Sequence, residues 1–322
     1  MTAGSAARRR RRGEPARVRV DRAVTLPIGP SGAGLVITVN AAGGSADEEL
    51  VAELRTGLPD AEIVELDDPS DLADALRAAA ARVGTAALGA VGGDGTLNAA
   101  AAVAREVGLP LVPVPGGTLN HLARDLGLCD VADVVAAVAA GSGLLLDLPT
   151  IAGRPFLNTA AFGAYPDLVD AREAREGRIG KWPAMVVAMG RVLRAGTPIE
   201  VEVDGEARRL WMIFAGSCHY EPDGFAPSRR PRLDDGELDV RWIDAGHPWA
   251  RTRLVLGLVT GRLGRSPIYR QWSPKELHVV SLGEPLRLAR DGETFDGGED
   301  VVVRNDGTTV VLACAPQVVE RI

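Results

Sequence analysis

Two apolar runs each end in a glycine-rich loop and open into a helix, and this repeated unit constrains the fold more than anything else in the chain. Thr85 to Val91 reads as a buried strand, followed by Gly92-Gly93-Asp94-Gly95 and an Ala-rich helix from about Thr96 to Val107. Leu111 to Val114 reads as a second strand, followed by Pro115-Gly116-Gly117 and a helix through Leu126. The tetrapeptide Gly95-Thr96-Leu97-Asn98 returns as Gly117-Thr118-Leu119-Asn120, 22 residues later. A strand feeding a helix through a short loop, repeated, demands a crossover connection and a parallel sheet.

The neighbouring sequence extends the pattern. Leu35 to Val39 and Glu62 to Leu66 read as strands, Asn40 to Ser45 as a turn, and Ala46 to Leu58 and Val131 to Ala140 as helices. Ser70 is the expected N-cap of a further helix to about Val83. After about residue 146 the pattern changes. Strands are expected at Leu146 to Ile151, Val201 to Val203, Leu210 to Ala215, Leu238 to Ile243, Leu277 to Val280, Leu286 to Ala289 and Val310 to Ala313. Asp204-Gly205, Asp235-Gly236, Asp291-Gly292 and Asp306-Gly307 are turn signals between them. Only 168–194 and 249–262 look helical there. The expected fold class is an α/β N-terminal domain with a parallel, Rossmann-like sheet, followed by a β-rich, antiparallel, sandwich-like second domain. The expected boundaries are a basic tail over 1–33, the α/β domain over 34–146 and the β-rich domain over 147–322, with the last segment free to return to the first domain.

Composition narrows the function. Aromatic residues are only 4% of the 322 and the net charge is -7, which argues against a nucleic-acid partner. The first 22 residues run against that balance, with eight Arg against Glu14 and Asp21. The run Arg8 to Arg12 reads as a solvated tail or as a contact for anionic lipid headgroups. No apolar run approaches the length of a bilayer span, about 20 residues. Cys129, Cys218 and Cys314 form no CxxC pair or disulfide framework, which fits a cytoplasmic protein.

The two loops lie where phosphates bind. Each would present free backbone N–H groups at the positive end of a helix, and glycine permits close approach. Neither loop is one of the common nucleotide loops. Asn98 stands where a dinucleotide fingerprint needs its third glycine, and no Lys follows as in a P-loop. A carboxylate beside a triphosphate repels it unless it binds the metal or accepts a hydrogen bond. Spacing leaves Asp94 open between that role and a helix cap.

Val91-Gly92-Gly93-Asp94-Gly95-Thr96-Leu97-Asn98 resembles the signature loop of the diacylglycerol kinase catalytic domain, the family of bacterial lipid kinases and sphingosine kinases; NAD kinases share the loop. Pro115-Gly116-Gly117-Thr118-Leu119-Asn120-His121-Leu122-Ala123 resembles the family's second motif. Leu233-Asp234-Asp235-Gly236-Glu237-Leu238-Asp239 resembles its metal-linked segment, and Asp291-Gly292-Glu293 its late Asp-Gly-Glu. The resemblance implies a lipid kinase that uses ATP and Mg2+. Asn40 and Gly43 match the first nucleotide loop, and Gly93, Asp94, Gly95, Thr96, Leu97 and Asn98 the phosphate loop, with Gly117, Thr118 and Asn120 beside the nucleotide. Asp94 would serve Mg-ATP and catalysis, and Glu293 would be the general base on the lipid hydroxyl. A surface carboxylate on a hairpin is the plainer reading of Glu293. Asp235, with Glu237 nearby, would hold a second, structural magnesium, and Asp147 matches an Asp of the family's polar network.

The sequence departs from the pattern at His121, where the family has Asp, and at Ala41, where it has Pro. Phe156 to Gly163 resembles the entry into the second domain, and Arg172, Arg175, Arg178 and Lys181 recur at helical spacing as a solvated face or a membrane-facing strip. The partners implied are a lipid substrate at the inner face of the membrane and, for assembly, a homodimer; no nucleic acid and no transmembrane segment are expected. The rival expectations are a kinase of a soluble acceptor such as NAD, and a non-catalytic lipid- or nucleotide-binding homologue.

Overall fold

The structure is a computed structural model that describes residues 18–20, 23–40, 45–117, 120–163, 197–224 and 229–321. The Arg8 to Arg12 run, Ala41, Gly43, Thr118 and the expected helix over 168–194 lie outside the described residues, as do the side chains of Asn40 and His121. The chain forms two compact units, one of Met1–Leu145 with Val311–Ile322 and one of Leu146–Val310.

The first unit is built on a seven-stranded, mostly parallel sheet. Its order is Ala23–Thr25, Ser142–Asp147, Thr309–Ala313, Leu111–Pro115, Ala87–Gly92, Leu35–Asn40, Glu62–Leu66. Leu35–Asn40 pairs in parallel with Glu62–Leu66 on one side and Ala87–Gly92 on the other. The chain therefore builds outward to one edge, then returns and builds the other way. The carboxyl ends of the two strands at such a reversal form the ligand crevice of open α/β sheets. Thr38 pairs with Ala90, which sets Asn40 level with Gly92 at those ends. The strands carry continuous apolar runs, as strands covered on both faces do: Leu35, Ile37, Leu88, Leu111 and Val112 are buried.

Two local expectations are corrected. The helix expected from Ser70 begins with a 3-10 turn, Pro69–Asp71, and the α-helix spans Leu72–Ala80. Asp68 is the cap, accepting the Ser70 N–H at 2.8 Å. Pro69 lacks an N–H and has its φ fixed, so it takes the first helical position and moves the cap two residues back, to Asp68. The strand expected over Leu146 to Ile151 is instead two strands, Ser142–Asp147 and Thr150–Ile151. Pro149 interrupts them because it offers no donor to a ladder.

The second unit is antiparallel. Eleven strands form one sheet, and its long member is Glu206–Ser217. That strand pairs with Ile199–Val203 along its first half, with Thr159–Gly163 along its second, and with Leu238–Asp244 on its other edge. A register shift between Leu210 and Met212 marks the change of partner. Leu286–Arg290 joins Thr159–Gly163, and Glu293–Gly298 closes that edge of the sheet. Phe156, Phe162, Ile213, Val240, Leu277 and Val303 are the centre of its apolar core.

Candidate active site

In the first unit the two glycine loops meet. Gly116 donates its N–H to the Gly92 carbonyl at 3.0 Å. A Cβ on Gly117 would stand 2.6 Å from the Gly93 Cα, so residue 117 has to be glycine for the loops to touch. Gly93 is different. Its φ of -85° suits any residue, and a Cβ there would meet only the Gly117 Cα, at an ordinary 3.6 Å. The fold leaves the space over the Gly93 Cα open.

Gly93 is the N-cap of the helix Asp94–Val107, and its carbonyl accepts the Leu97 N–H at 3.0 Å. The N–H groups of the first turn therefore point out of the helix end, where the dipole favours an anion. Thr96 is half-buried against Gly92, and Leu97 and Asn98 face the core. Asp94 Oδ1 accepts the Leu122 N–H at 3.1 Å. It thus caps the next helix, His121–Asp125, and ties the first loop to the second. Asn120 holds the second loop in shape. Its side chain exchanges two hydrogen bonds with the Gly117 backbone, at 3.0 and 2.6 Å, and its φ of 48° is one that Asn tolerates.

In the second unit Glu293 follows the Asp291-Gly292 turn, where both φ angles are positive at 46° and 92°. Glu293 pairs with Arg290 across the hairpin and is exposed. The turn is held from within. The Asp291 carboxylate accepts the N–H groups of Leu157, Asn158 and Thr159 at 2.7, 2.8 and 3.0 Å. Arg230, only 2% exposed, takes the other side of the same segment. It donates to the Leu157 carbonyl at 2.7 Å and to Asn158 Oδ1 at 3.0 Å. Burial raises the Asp291 carboxyl above the usual carboxylate range, against the pull of the three N–H groups and of Arg230.

A separate polar cluster surrounds Asp235. Carboxylate oxygens of Asp147 and Asp235 and the Cys218 sulfur lie within 4.8 Å of one another. The Asp235 carboxylate accepts the His219 N–H at 2.9 Å and the Glu237 N–H at 3.0 Å. Asp239, two turns of pleat further on, accepts the Tyr220 N–H at 2.9 Å. The two Asp residues of the segment therefore hold successive N–H groups of the Cys218–Tyr220 bend. Glu237 contributes main chain: its carbonyl accepts from the Cys218 N–H at 3.1 Å and from Asn305 at 3.0 Å. Asp147 Oδ2 accepts from the Gly236 N–H at 2.7 Å, from Asn305 at 3.1 Å and from the Cys218 thiol at 3.4 Å. Burial raises the Asp147 carboxyl and pushes the Cys218 thiol well up. A hard divalent cation takes oxygen ligands, so of this group the carboxylates of Asp235 and Asp147 suit one and the Cys218 thiol does not.

The structure thus brings Gly93, Asp94, Gly117 and Asn120 into one loop pair, sets Asn40 level with it, and brings Asp147 to Asp235. Residues missed from the sequence are Arg230 and Cys218. Cys218 reads as a small core residue, and only the fold sets its sulfur beside Asp147. Arg229, Arg230 and Arg232 read alike in sequence. Asp291 gave the clearer sign, as an Asp-Gly turn directly before Glu293.

Compared with known families, residues 34–148 match the model of the diacylglycerol kinase catalytic domain. This segment is similar to that family's catalytic domain. The matched segment holds both glycine loops and Asp147, and Asp235, Asp291 and Glu293 lie beyond it. Over nearly the whole chain the fold is that of two solved structures from Bacillus anthracis str. Sterne. One, assigned as a diacylglycerol kinase, is 19% identical with a TM-score of 0.65, covering 88% of this chain and 98% of that one. The other, a diacylglycerol kinase, is 17% identical with a TM-score of 0.61, covering 88% and 97%. At these identities the likeness is one of fold.

Proposed function

We propose that this chain is an ATP-dependent lipid kinase that transfers the γ-phosphoryl group of ATP to a hydroxyl of diacylglycerol or a related lipid. The observation that carries this reading is Gly93. Nothing in the fold requires glycine there, whereas close approach of a phosphate to the backbone does. The loop Gly92 to Thr96 binds the phosphates through its N–H groups and the helix end. Asn40, with Gly43, and Gly117, Thr118 and Asn120 bound the nucleotide from either side. Asp94, whose Oδ1 accepts the Leu122 N–H, would serve the metal that accompanies ATP. Magnesium bound with the nucleotide would supply neutralisation of the phosphate charge.

Glu293 acts as general base. It takes the proton of the lipid hydroxyl as that oxygen bonds to the γ-phosphorus and ADP departs. Asp235, with Asp147 beside it, is suited to a second, structural magnesium, and Glu237 shapes that loop. The acceptor stays in the bilayer, so the protein works as a peripheral protein on the inner face of the membrane. No helix among the described residues is long and apolar enough to cross it.

The test is a kinase assay with labelled ATP, magnesium and diacylglycerol, other lipid alcohols or NAD, each in detergent micelles. Transfer to a lipid, lost in Asp94→Ala and Glu293→Gln, is the expected result. Transfer to NAD alone, or to no acceptor, overturns the reading.

A further inference from the structure

At one place the second unit turns apolar side chains outward. Helix Ala250–Val259 buries Ala250 and Leu254 against Trp211, Ile243, Leu263 and Ile268. A helix with such an inner stripe ordinarily shows polar residues on its other side. Here the outer side carries Val255, Leu256 and Val259, which are 46%, 61% and 80% exposed, and Trp249 before the helix is 78% exposed. At a helical rise of about 100° per residue the three aliphatic side chains share one arc of about 100°.

The surroundings are basic. From Ala245 to Lys275 there are Arg251, Arg253, Arg262, Arg265, Arg270 and Lys275 and no Asp or Glu, in a chain of net charge -7. Among the described residues Arg251, Arg262 and Arg265 are exposed and have no ion-pair partner. The acids that bracket the stretch are engaged. Asp244 accepts the Gly246 N–H at 2.6 Å, and Glu276 pairs with Arg304 at 2.5 Å.

An outward apolar strip, a Trp at its end and unpaired Arg on its flanks match the three layers of a lipid surface. Those layers are the acyl boundary, the interface and the phosphate headgroups. A second copy of the chain fits less well, because a two-fold contact through this face would set Arg against Arg. We propose that Trp249 and helix Ala250–Val259, with Arg251, Arg262 and Arg265, dock the protein on an anionic bilayer. This deepens the lipid-kinase reading by giving the membrane its contact surface.

The experiment needs no turnover. Full-length protein is sedimented without ATP with vesicles of phosphatidylcholine alone or mixed with phosphatidylglycerol. The expected result is binding to the anionic vesicles that weakens as salt rises. The double variant Leu256→Glu, Val259→Glu lowers that binding by about tenfold or more, with unchanged thermal melting. Arg262→Glu, Arg265→Glu lowers it as well. Undiminished binding by either variant overturns the proposal and moves the contact elsewhere, for instance to Arg8 to Arg12. So does the absence of binding by the parent chain, or a double variant whose only change is a smaller oligomer. Loss of kinase activity in micelles with vesicle binding intact sinks the kinase reading and leaves the docking surface standing.

Discussion

Removing the Asp291 carboxylate tests whether the hairpin that carries Glu293 is fixed from inside. In Asp291→Ala the N–H groups of Leu157, Asn158 and Thr159 lose their acceptor together. The site is partly buried, so the low end of the cost per orphaned donor applies, about 1 kcal/mol each or about 3 kcal/mol in all. Alanine at the Asp291 φ of 46° adds strain, about 1 kcal/mol more. Asp291→Asn separates these effects. Oδ1 can keep the bonds from Asn158 and Thr159, and Asn tolerates the positive φ. Only the Leu157 N–H is lost, facing an amide NH2 instead of Oδ2, at a cost of about 1–2 kcal/mol. Denaturant unfolding measures both. Equal destabilisation of the two variants, or none in the alanine variant, refutes the reasoning.

The same residue predicts a pH dependence. Burial raises the folded carboxyl above its ordinary value. Between the unfolded and the folded value the native state therefore binds more protons, and stability falls as pH rises. Below the unfolded value the contribution is fully present. Asp291→Asn abolishes this decline, so the stability gap between the parent chain and the variant narrows as pH rises through that window. A gap that widens would reverse the sign and refute the argument. Activity follows geometry: a hairpin loosened by about 1 Å lowers turnover by about 100-fold in Asp291→Ala.

The glycine loops predict opposite behaviour at neighbouring sites. Gly117→Ala forces a Cβ to within 2.6 Å of the Gly93 Cα, and thermal melting should show a loss of about 1–3 kcal/mol. Gly93→Ala should melt like the parent chain yet lose ATP affinity by equilibrium dialysis; normal affinity would remove Gly93 from the phosphate site. Asp94→Asn keeps an acceptor for the Leu122 N–H, so its melting should change little while phosphoryl transfer is lost, and near-normal transfer would leave Asp94 as a cap alone. Glu293→Gln, at an exposed position, should shift stability by under about 0.5 kcal/mol and lower turnover by about 100-fold or more, read in the micelle assay.

The first unit was legible because each of its signals is local. An apolar run, a glycine loop and a helical run describe one crossover, and two of them in series imply the parallel sheet. What escaped was set by pairing partners and not by a segment's own residues. Glu206–Ser217 reads as a strand only from Leu210 to Ala215, because its first residues are charged and exposed and become strand through pairing with Ile199–Val203. Glu293–Gly298 carries two glycines and two acids, weak strand signals, and is strand because Leu286–Arg290 templates it. In the candidate site the glycines and acids could be named, but not the partners that orient them. Arg230 and Asp291 converge on Leu157–Thr159 from sites more than 70 and 130 residues away.

Two Asp-Gly turns show where that limit lies. Asp204-Gly205 and Asp291-Gly292 have nearly the same backbone, with φ of 50° and 84° in one and 46° and 92° in the other. Both follow from the dipeptide, since each turn needs two positive φ angles. Asp204 is exposed at a hairpin tip, and shape alone accounts for it. The Asp291 carboxylate turns inward and organises three N–H groups of another segment. A turn that only reverses the chain needs Asp for its conformation, and Asn serves equally well there. A turn that also braces a neighbour needs both carboxylate oxygens, and Asn falls short by one acceptor. The contrast between Asp→Asn at 204 and at 291 therefore measures the bracing by itself: unchanged melting at the first and a loss at the second places the energy in the clamp rather than in the turn.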